Sequence, residues 1–161
     1  MVFGKQDARI LVVDDDKEFA DLLVEHLSGL GYSAAAAYTG REGLSRFENG
    51  AFQLVITELK MPDIDGMDLL EAVKARDSRV VVMVITGYDT IDSGVKAIKN
   101  GACDFITKPI KMEALGGMID RAIQRHPLFR DLGASKGLTL ALIISVLLWL
   151  ILGIVLAALW K

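Results

Sequence analysis

The sequence is poor in the residues that build disulfide frameworks and metal clusters. It contains 161 residues and one cysteine, Cys103, which excludes an intramolecular disulfide and a cysteine-ligated metal cluster. Its two histidines, His26 and His126, lie in no metal-ligand motif, so structural or exposed roles are expected. A formal net charge of −3 provides no electrostatic reason to bind nucleic acid. The N-terminus lacks the apolar region of a signal peptide, so nothing is expected to carry the first domain across a membrane.

Charge is absent from one long stretch near the C-terminus. Residues 138–160 are all uncharged. As a helix rising about 1.5 Å per residue they would span about 34 Å, slightly more than the hydrocarbon core of a bilayer. A buried core helix is the alternative, but a helix that is apolar on all sides does not suit the surface of a completed domain. We therefore predict a transmembrane helix at 138–160, which a juxtamembrane linker at 126–137 joins to a domain at 1–125.

The charges beside this stretch predict its orientation. Arg121, Arg125, Arg130 and Lys136 precede it, and Lys161 follows it. Basic residues favour the cytoplasmic side of a membrane. The N-terminal domain is therefore expected in the cytoplasm, tail-anchored by a single span.

Small residues recur along the predicted span. Ala141, Ser145, Gly153 and Ala157 lie on a four-residue spacing that Trp149 interrupts. Small residues on one stripe let a second helix approach closely. This pattern predicts packing against another transmembrane helix, either in a homodimer or with a membrane protein partner.

The first 125 residues alternate short apolar runs with helical patterns. Residues 80–86 form a continuous apolar run typical of a parallel strand buried on both faces. The predicted strands are Arg9–Val13, Ser33–Ala37 (weakly, because of its four alanines), Gln53–Thr57, Val80–Thr86 and Cys103–Thr107. The predicted helices are Lys17–Ser28, Arg41–Glu48, Gly66–Arg76, Asp89–Asn100 and Lys111–Arg125. Five βα units predict an α/β fold with a five-stranded, doubly wound parallel sheet of the flavodoxin type. Cys103 is expected to be a small buried hydrophobic residue.

Polar residues end or directly follow four of the predicted strands. Asp14 and Asp15 follow the first strand, Glu58 follows the third, Thr86 ends the fourth and Lys108 follows the fifth. In open parallel sheets, ligand chemistry collects at the carboxyl ends of the strands. We therefore expect these side chains to meet at one edge of the sheet.

Several short segments together resemble a known family. The loop Lys60–Gly66 reads Lys-Met-Pro-Asp-Ile-Asp-Gly, and it occurs with Asp14-Asp15, with Ile-Thr-Gly at 85–87 and with Thr-Lys-Pro at 107–109. This set resembles the receiver domains of two-component response regulators, and the sequences of its motifs are most similar to those of receivers of nitrogen-regulator-type activators. The resemblance covers about residues 1–125 and implies a bacterial protein, which would place the predicted span in the inner membrane. Those activators continue into an ATPase and a DNA-binding domain, whereas this chain continues into the predicted span, so their output is not carried over.

The resemblance also implies a possible metal site. In receivers a pair of carboxylates and the phospho-acceptor residue bind Mg²⁺, which prefers oxygen ligands in octahedral geometry. The matching groups are the side chains of Asp14, Asp15 and Glu58 and the backbone carbonyl of Lys60. Mg²⁺ is thus the one cofactor that the sequence suggests.

Two further positions match the groups that hold the phosphoryl oxygens in receivers. These are the hydroxyl of Thr86 and the ammonium of Lys108, and Phe105 matches the aromatic residue that rotates when receivers switch. The phospho-acceptor position itself departs from the family, because Glu58 stands where an aspartate is expected.

Three hypotheses account for Glu58. It could mimic the phosphorylated state by reaching toward Lys108 and Thr86, or the site could be degenerate and the domain a fixed binding platform. It could also still accept a phosphoryl group, which is disfavoured because in-line attack depends on near-ångström positioning of the nucleophile.

The predicted function is that of a membrane-tethered, phosphorylation-independent receiver that serves as a protein-interaction or regulatory module. It is expected to be no enzyme, with no catalytic residue, no small-molecule substrate and no nucleic-acid partner. One alternative is a single-span accessory subunit of a larger membrane complex. Another is a phosphorylatable switch that uses Glu58 or a neighbour such as Asp63 or Asp65.

Overall fold

Five parallel strands form one sheet in the order β2-β1-β3-β4-β5. The computed structural model describes residues 8–47, 52–87 and 91–124, together with Ser145. The strands are β1 (Arg9–Val13), β2 (Ser33–Ala37), β3 (Leu54–Thr57), β4 (Val81–Thr86) and β5 (Asp104–Thr107). The helices are α1 (Lys17–Gly29), α2 (Gly40–Arg46), α3 (Gly66–Arg76), α4 (Ile91–Lys99) and α5, whose described residues are 112–124. The predicted doubly wound parallel sheet is confirmed.

The sheet separates two hydrophobic layers. Alternate residues of each central strand point to opposite faces, so Ile10 and Leu11 belong to different layers. The layer that contains Leu11 is covered by α2, α3 and α4, and the layer that contains Ile10 is covered by α1 and α5. All six residues of β4 are buried, as the continuous apolar run at 80–86 predicts.

Polar residues begin the first three helices. The side chains of Asp16, Thr39 and Asp65 accept hydrogen bonds from backbone N–H groups in the first turns of α1, α2 and α3. Past the ends of α1 and α4, Gly31 and Gly101 adopt φ angles of 93° and 98°, a left-handed conformation that glycine reaches without a steric penalty. Most predicted element ends lie within one or two residues of the observed ones.

One weak sequence-based prediction is confirmed by the structure, and one expectation is wrong. Strand β2 forms despite its four alanines, because each of its five residues pairs with a residue of β1. Cys103 is exposed and lies just before β5, so its predicted burial is wrong. The residue lies one position before the strand, and its N–H donates to the carbonyl of Val82 at 2.8 Å.

The receiver-like region forms one compact unit that ends at Gln124. Within the described part of the chain, no helix combines the length and the apolar character that a membrane span requires. The predicted linker at 126–137 and the predicted span at 138–160 lie outside the described residues, apart from Ser145. The transmembrane helix and its packing stripe therefore stay predictions.

Candidate functional site

The carboxyl ends of β1, β3, β4 and β5 place four of the predicted site residues on one rim of the sheet. Strand pairing continues by one hydrogen bond past the ends of the strands: the N–H of Glu58 donates to the carbonyl of Val13 at 2.8 Å, and the N–H of Lys108 donates to the carbonyl of Thr86 at 2.8 Å. Asp14 is held in the same way, by donation to the carbonyl of Ala37 at 3.1 Å. The backbone ladder itself therefore sets the spacing of the polar side chains.

Lys108 joins the two buried carboxylates of this rim. Its Nζ lies 2.7 Å from Oδ2 of Asp14 and 2.9 Å from Oε2 of Glu58. The side chains of Asp14 and Glu58 are 3% and 7% exposed, and that of Lys108 is 22% exposed. The same ammonium lies 3.9 Å from the centre of the Phe19 ring, within the range of a cation–π contact. We call Asp14, Glu58 and Lys108 the rim triad.

The carboxylate of Glu58 contacts protein donors through both oxygens. Oε1 accepts hydrogen bonds from the backbone N–H groups of Leu59 at 2.7 Å and Lys60 at 3.3 Å. Oε2 faces Lys108, and the side chain of Thr86 also hydrogen-bonds to the carboxylate. Burial by itself would raise the pKa of Glu58, but the Thr86 hydrogen bond and the Lys108 ammonium outweigh it and lower that pKa below its ordinary value. Glu58 is therefore ionised at neutral pH.

The other two members of the triad respond to burial in opposite directions. Burial raises the pKa of Asp14, although the hydrogen bond from Lys108 and the N–H of Asp16, 2.9 Å from Oδ1, reduce the effect. Burial would lower the pKa of Lys108, but its hydrogen bonds to Asp14 and Glu58 raise that pKa instead. Both partners thus hold the lysine in its charged form.

The remaining predicted site residues take separate places. Asp15 and the side chain of Lys60 are exposed. Phe105 is half-buried on β5 and packs toward α4, where a Cβ on Gly94 would lie 3.2 Å from its ring. The structure therefore brings Asp14, Glu58, Thr86 and Lys108 together, while Asp15 faces solvent beside them.

This arrangement does not match the octahedral oxygen shell that Mg²⁺ requires. Across the ranges 8–47, 52–87 and 91–124, no three His, Cys, Asp or Glu side chains come together in a group that could hold a metal ion. The position between Asp14 and Glu58 is bridged by the Lys108 ammonium, and each of the four carboxylate oxygens already faces a donor. The residues as arranged here do not fit the ion.

The contacts of two residues near the rim were not anticipated from the sequence. Phe19 lies on α1 at an ordinary apolar position, and no sequence signal marks its contact with Lys108. Asp63 accepts hydrogen bonds from the N–H groups of Gly40 at 3.0 Å and Arg41 at 2.9 Å, and so ties the loop after β3 to the start of α2. The N–H donors of Arg41, Ile64 and Gly40 lower the pKa of Asp63 to about 2.

Glycine is required where this loop closes on itself. A Cβ on Gly66 would lie 2.1 Å from the carbonyl oxygen of Glu58, and a Cβ on Gly40 would lie 2.3 Å from the carbonyl oxygen of Ile64. Both distances are far shorter than any ordinary contact. The loop from Glu58 to Gly66 is therefore tightly folded against α2 and α3.

Known proteins share this architecture. Residues 10–120 match the response regulator receiver domain family. The chain is 33% identical over 135 residues to the transcriptional regulatory protein ZraR of Salmonella typhimurium, which covers 84% of this chain and 30% of ZraR. The chain thus spans 26–30% of the length of the ZraR relatives that it matches.

Solved structures agree with the sequence relatives. A response regulator receiver domain protein from Clostridium thermocellum superposes with a TM-score of 0.72 at 32% identity, over 76% of this chain and 98% of that one. NtrX from Brucella abortus, solved in complex with ADP, gives a TM-score of 0.73 at 33% identity, over 78% of this chain and 29% of NtrX. From the order of its strands, the residues on its rim and these matches, the chain belongs to the response regulator receiver domain family.

Proposed function

We propose that this receiver domain works without phosphoryl transfer, as a membrane-tethered module that presents a fixed surface to a protein partner. The observation that supports this most directly is the engagement of Glu58. Its carboxylate stands at the phospho-acceptor position and contacts both Lys108 and Thr86, the two residues that match the phosphoryl-holding groups of receivers. A side chain of the protein thus makes contacts that a phosphoryl group would make in a switching receiver.

The position of the carboxylate also argues against Glu58 as a nucleophile. A nucleophile must approach phosphorus in line, with the reacting atoms about 3–3.5 Å apart. One oxygen of Glu58 turns back onto the N–H of Leu59 at 2.7 Å, and the other lies 2.9 Å from the ammonium of Lys108. An attacking oxygen would have to give up one of these charge-assisted contacts.

Because these contacts come from a side chain of the protein itself, they support a constitutive state of the domain. The carboxylate supplies one charge and two oxygens, whereas a phosphoryl group supplies nearly two charges and three oxygens. We therefore propose that Glu58 holds Thr86 and Lys108 in place continuously, and that partner binding does not follow a phosphorylation signal.

The membrane tether in this proposal is supported by the sequence of residues 138–160. The segment is uncharged and long enough to cross a bilayer, and the basic residues Arg121, Arg125, Arg130 and Lys136 precede it. We propose that it places the receiver domain on the cytoplasmic face of a bacterial inner membrane. The partner proposed for this acidic chain, of net charge −3, is a protein rather than a nucleic acid.

Phosphotransfer is the test of phosphate independence. The full-length protein and its Glu58→Asp variant are incubated with acetyl phosphate and with a phosphorylated histidine kinase, and covalent phosphate is detected by intact-protein mass spectrometry. The wild type should remain unmodified, whereas Glu58→Asp restores the acceptor expected in the family and should gain one phosphoryl group. A phosphoryl group on the wild-type protein would show that the domain is a working switch.

Localisation and partner binding need a separate experiment. The full chain and a variant that ends at residue 137 are expressed in bacteria and fractionated, and the membrane-bound form is purified in detergent. The full chain should sediment with the membrane and the shortened chain should not. Co-purification of a stoichiometric membrane protein that depends on Gly153 and Ala157 would support the accessory-subunit alternative instead.

A further inference from the structure

The rim triad holds two buried carboxylates around one ammonium, and protein donors face all of the carboxylate oxygens. Asp14 and Glu58 are buried, and a single ammonium, that of Lys108, lies within 2.9 Å of an oxygen of each. The other oxygen of each carboxylate accepts a hydrogen bond from a backbone N–H group. Oδ1 of Asp14 accepts from Asp16 at 2.9 Å, and Oε1 of Glu58 accepts from Leu59 at 2.7 Å. Every carboxylate oxygen of the pair therefore faces a donor that belongs to the protein.

We infer that the Lys108 ammonium is the resident cation of this site and takes the place of the divalent ion that receiver domains bind. The inference rests on the proposed phosphate-independent function, because a domain that accepts no phosphoryl group has no need of a metal to neutralise one. It assigns to this chain a low affinity for Mg²⁺.

The length of the Glu58 side chain explains how the substitution closes the site. The additional methylene lets Oε2 reach Lys108 while Oε1 stays on the loop amide of Leu59. We infer that an aspartate at this position, shorter by one methylene, does not hold both contacts at once. Glu58 therefore positions the Lys108 ammonium between the two carboxylates of the site.

A divalent ion would meet two obstacles here. It would have to displace Lys108 from Asp14 or Glu58, or share an oxygen with a positive charge at close range, where like charges repel strongly. Mg²⁺ also gives up its hydration water reluctantly and demands near-ideal octahedral geometry. Asp15, the third carboxylate of the rim, is exposed and does not complete a metal-binding group with the other two within the described residues.

Magnesium titration of the full-length protein in detergent tests the inference. MgCl₂ is added at constant ionic strength, and binding is followed by calorimetry and by the amide NMR signals of Asp16 and Leu59, which lie at the site. Glu58→Asp should bind Mg²⁺ roughly tenfold more tightly than the wild type, or better. Lys108→Met, which frees both carboxylates, should also bind more tightly, and circular dichroism establishes that it is folded.

The outcomes separate this inference from the proposed function. Wild-type affinity within threefold of that of Glu58→Asp overturns the inference, and so does a folded Lys108→Met that binds no more tightly than the wild type. If either of these results is obtained and the wild type is not phosphorylated, the proposed function stands although the inference about Lys108 fails. Weak Mg²⁺ binding by the wild type together with phosphorylation of Glu58 would instead support the resident ammonium and overturn phosphate independence.

Discussion

Replacing Lys108 with methionine removes the ammonium that bridges Asp14 and Glu58 while it keeps most of the apolar stem of the side chain. Two buried carboxylates are then left without their counter-ion, 2.7 and 2.9 Å from where it stood. Removing one partner of a buried ion pair costs about 3–5 kcal/mol. Because the Lys108 side chain is 22% exposed and water can partly take its place, we expect a loss of about 3 kcal/mol in the free energy of unfolding at pH 7.

The pH dependence of this loss follows from the direction of the pKa shifts. Burial acts to raise the pKa of Glu58, and in the wild type Thr86 and Lys108 reverse this and hold the pKa below its ordinary value. The stability that Glu58 contributes is therefore present above its unfolded pKa and is lost as the pH falls through the lower folded pKa. Without Lys108, the pKa values of Glu58 and Asp14 should both rise relative to the wild type, because fewer contacts then oppose the effect of burial, and both groups should protonate at a higher pH. The difference between Lys108→Met and the wild type should then shrink as the pH falls from 7 toward about 4.5.

Urea unfolding followed by circular dichroism measures both effects. Lys60→Met is the matched control, because its lysine side chain is exposed in the same region, and it should change stability by no more than about 0.5 kcal/mol. The reasoning is refuted if Lys108→Met costs no more than this control, or if its cost stays constant between neutral and mildly acidic pH.

Three further changes probe the surroundings of the rim triad. Thr86→Val removes a hydrogen-bond donor to Glu58 and should raise the pKa of Glu58, measured by carboxyl NMR titration, with a loss of about 1–2 kcal/mol of stability; an unchanged pKa would contradict that hydrogen bond. Asp63→Ala should destabilise α2 by about 1 kcal/mol at pH 7, and this difference should vanish as the pH falls through about 2, the folded pKa of Asp63. Gly66→Ala should destabilise the fold by more than about 2 kcal/mol, because its Cβ would meet the carbonyl of Glu58, whereas Gly29→Ala, with nothing within 4 Å, should be neutral or slightly stabilising; equal effects in urea unfolding would contradict the close approach.

Local patterns were enough to predict the elements of the domain. The β4 run is apolar at every position because both of its faces are covered, and α1 shows the helical spacing of a helix with one buried face. The weakest prediction, β2, has low intrinsic strand propensity, and its pairing with β1 settles it. The exposure of Cys103 was not predicted, because the residue type alone does not decide whether neighbouring elements cover a given position.

The candidate site was predicted in location but not in contacts. The rule that chemistry collects at the carboxyl ends of parallel strands placed Asp14, Glu58, Thr86 and Lys108 on one rim. It did not say that Lys108 would contact both carboxylates at once or pack on Phe19. Nor did it reveal that Asp63 would tie the loop to α2, since an aspartate in a turn has many local explanations.

The sequence by itself determined the βα order, the parallel sheet and the substitution of glutamate at the acceptor position, because these depend on local periodicity and on residue identity. Only the tertiary structure decided what that glutamate does. Lys108 and Asp14 are separated by 94 positions, and their contact exists because the sheet brings the ends of distant strands within reach of one side chain. Burial makes an unpaired carboxylate unfavourable, and the Lys108 ammonium gives both carboxylates a shared counter-ion.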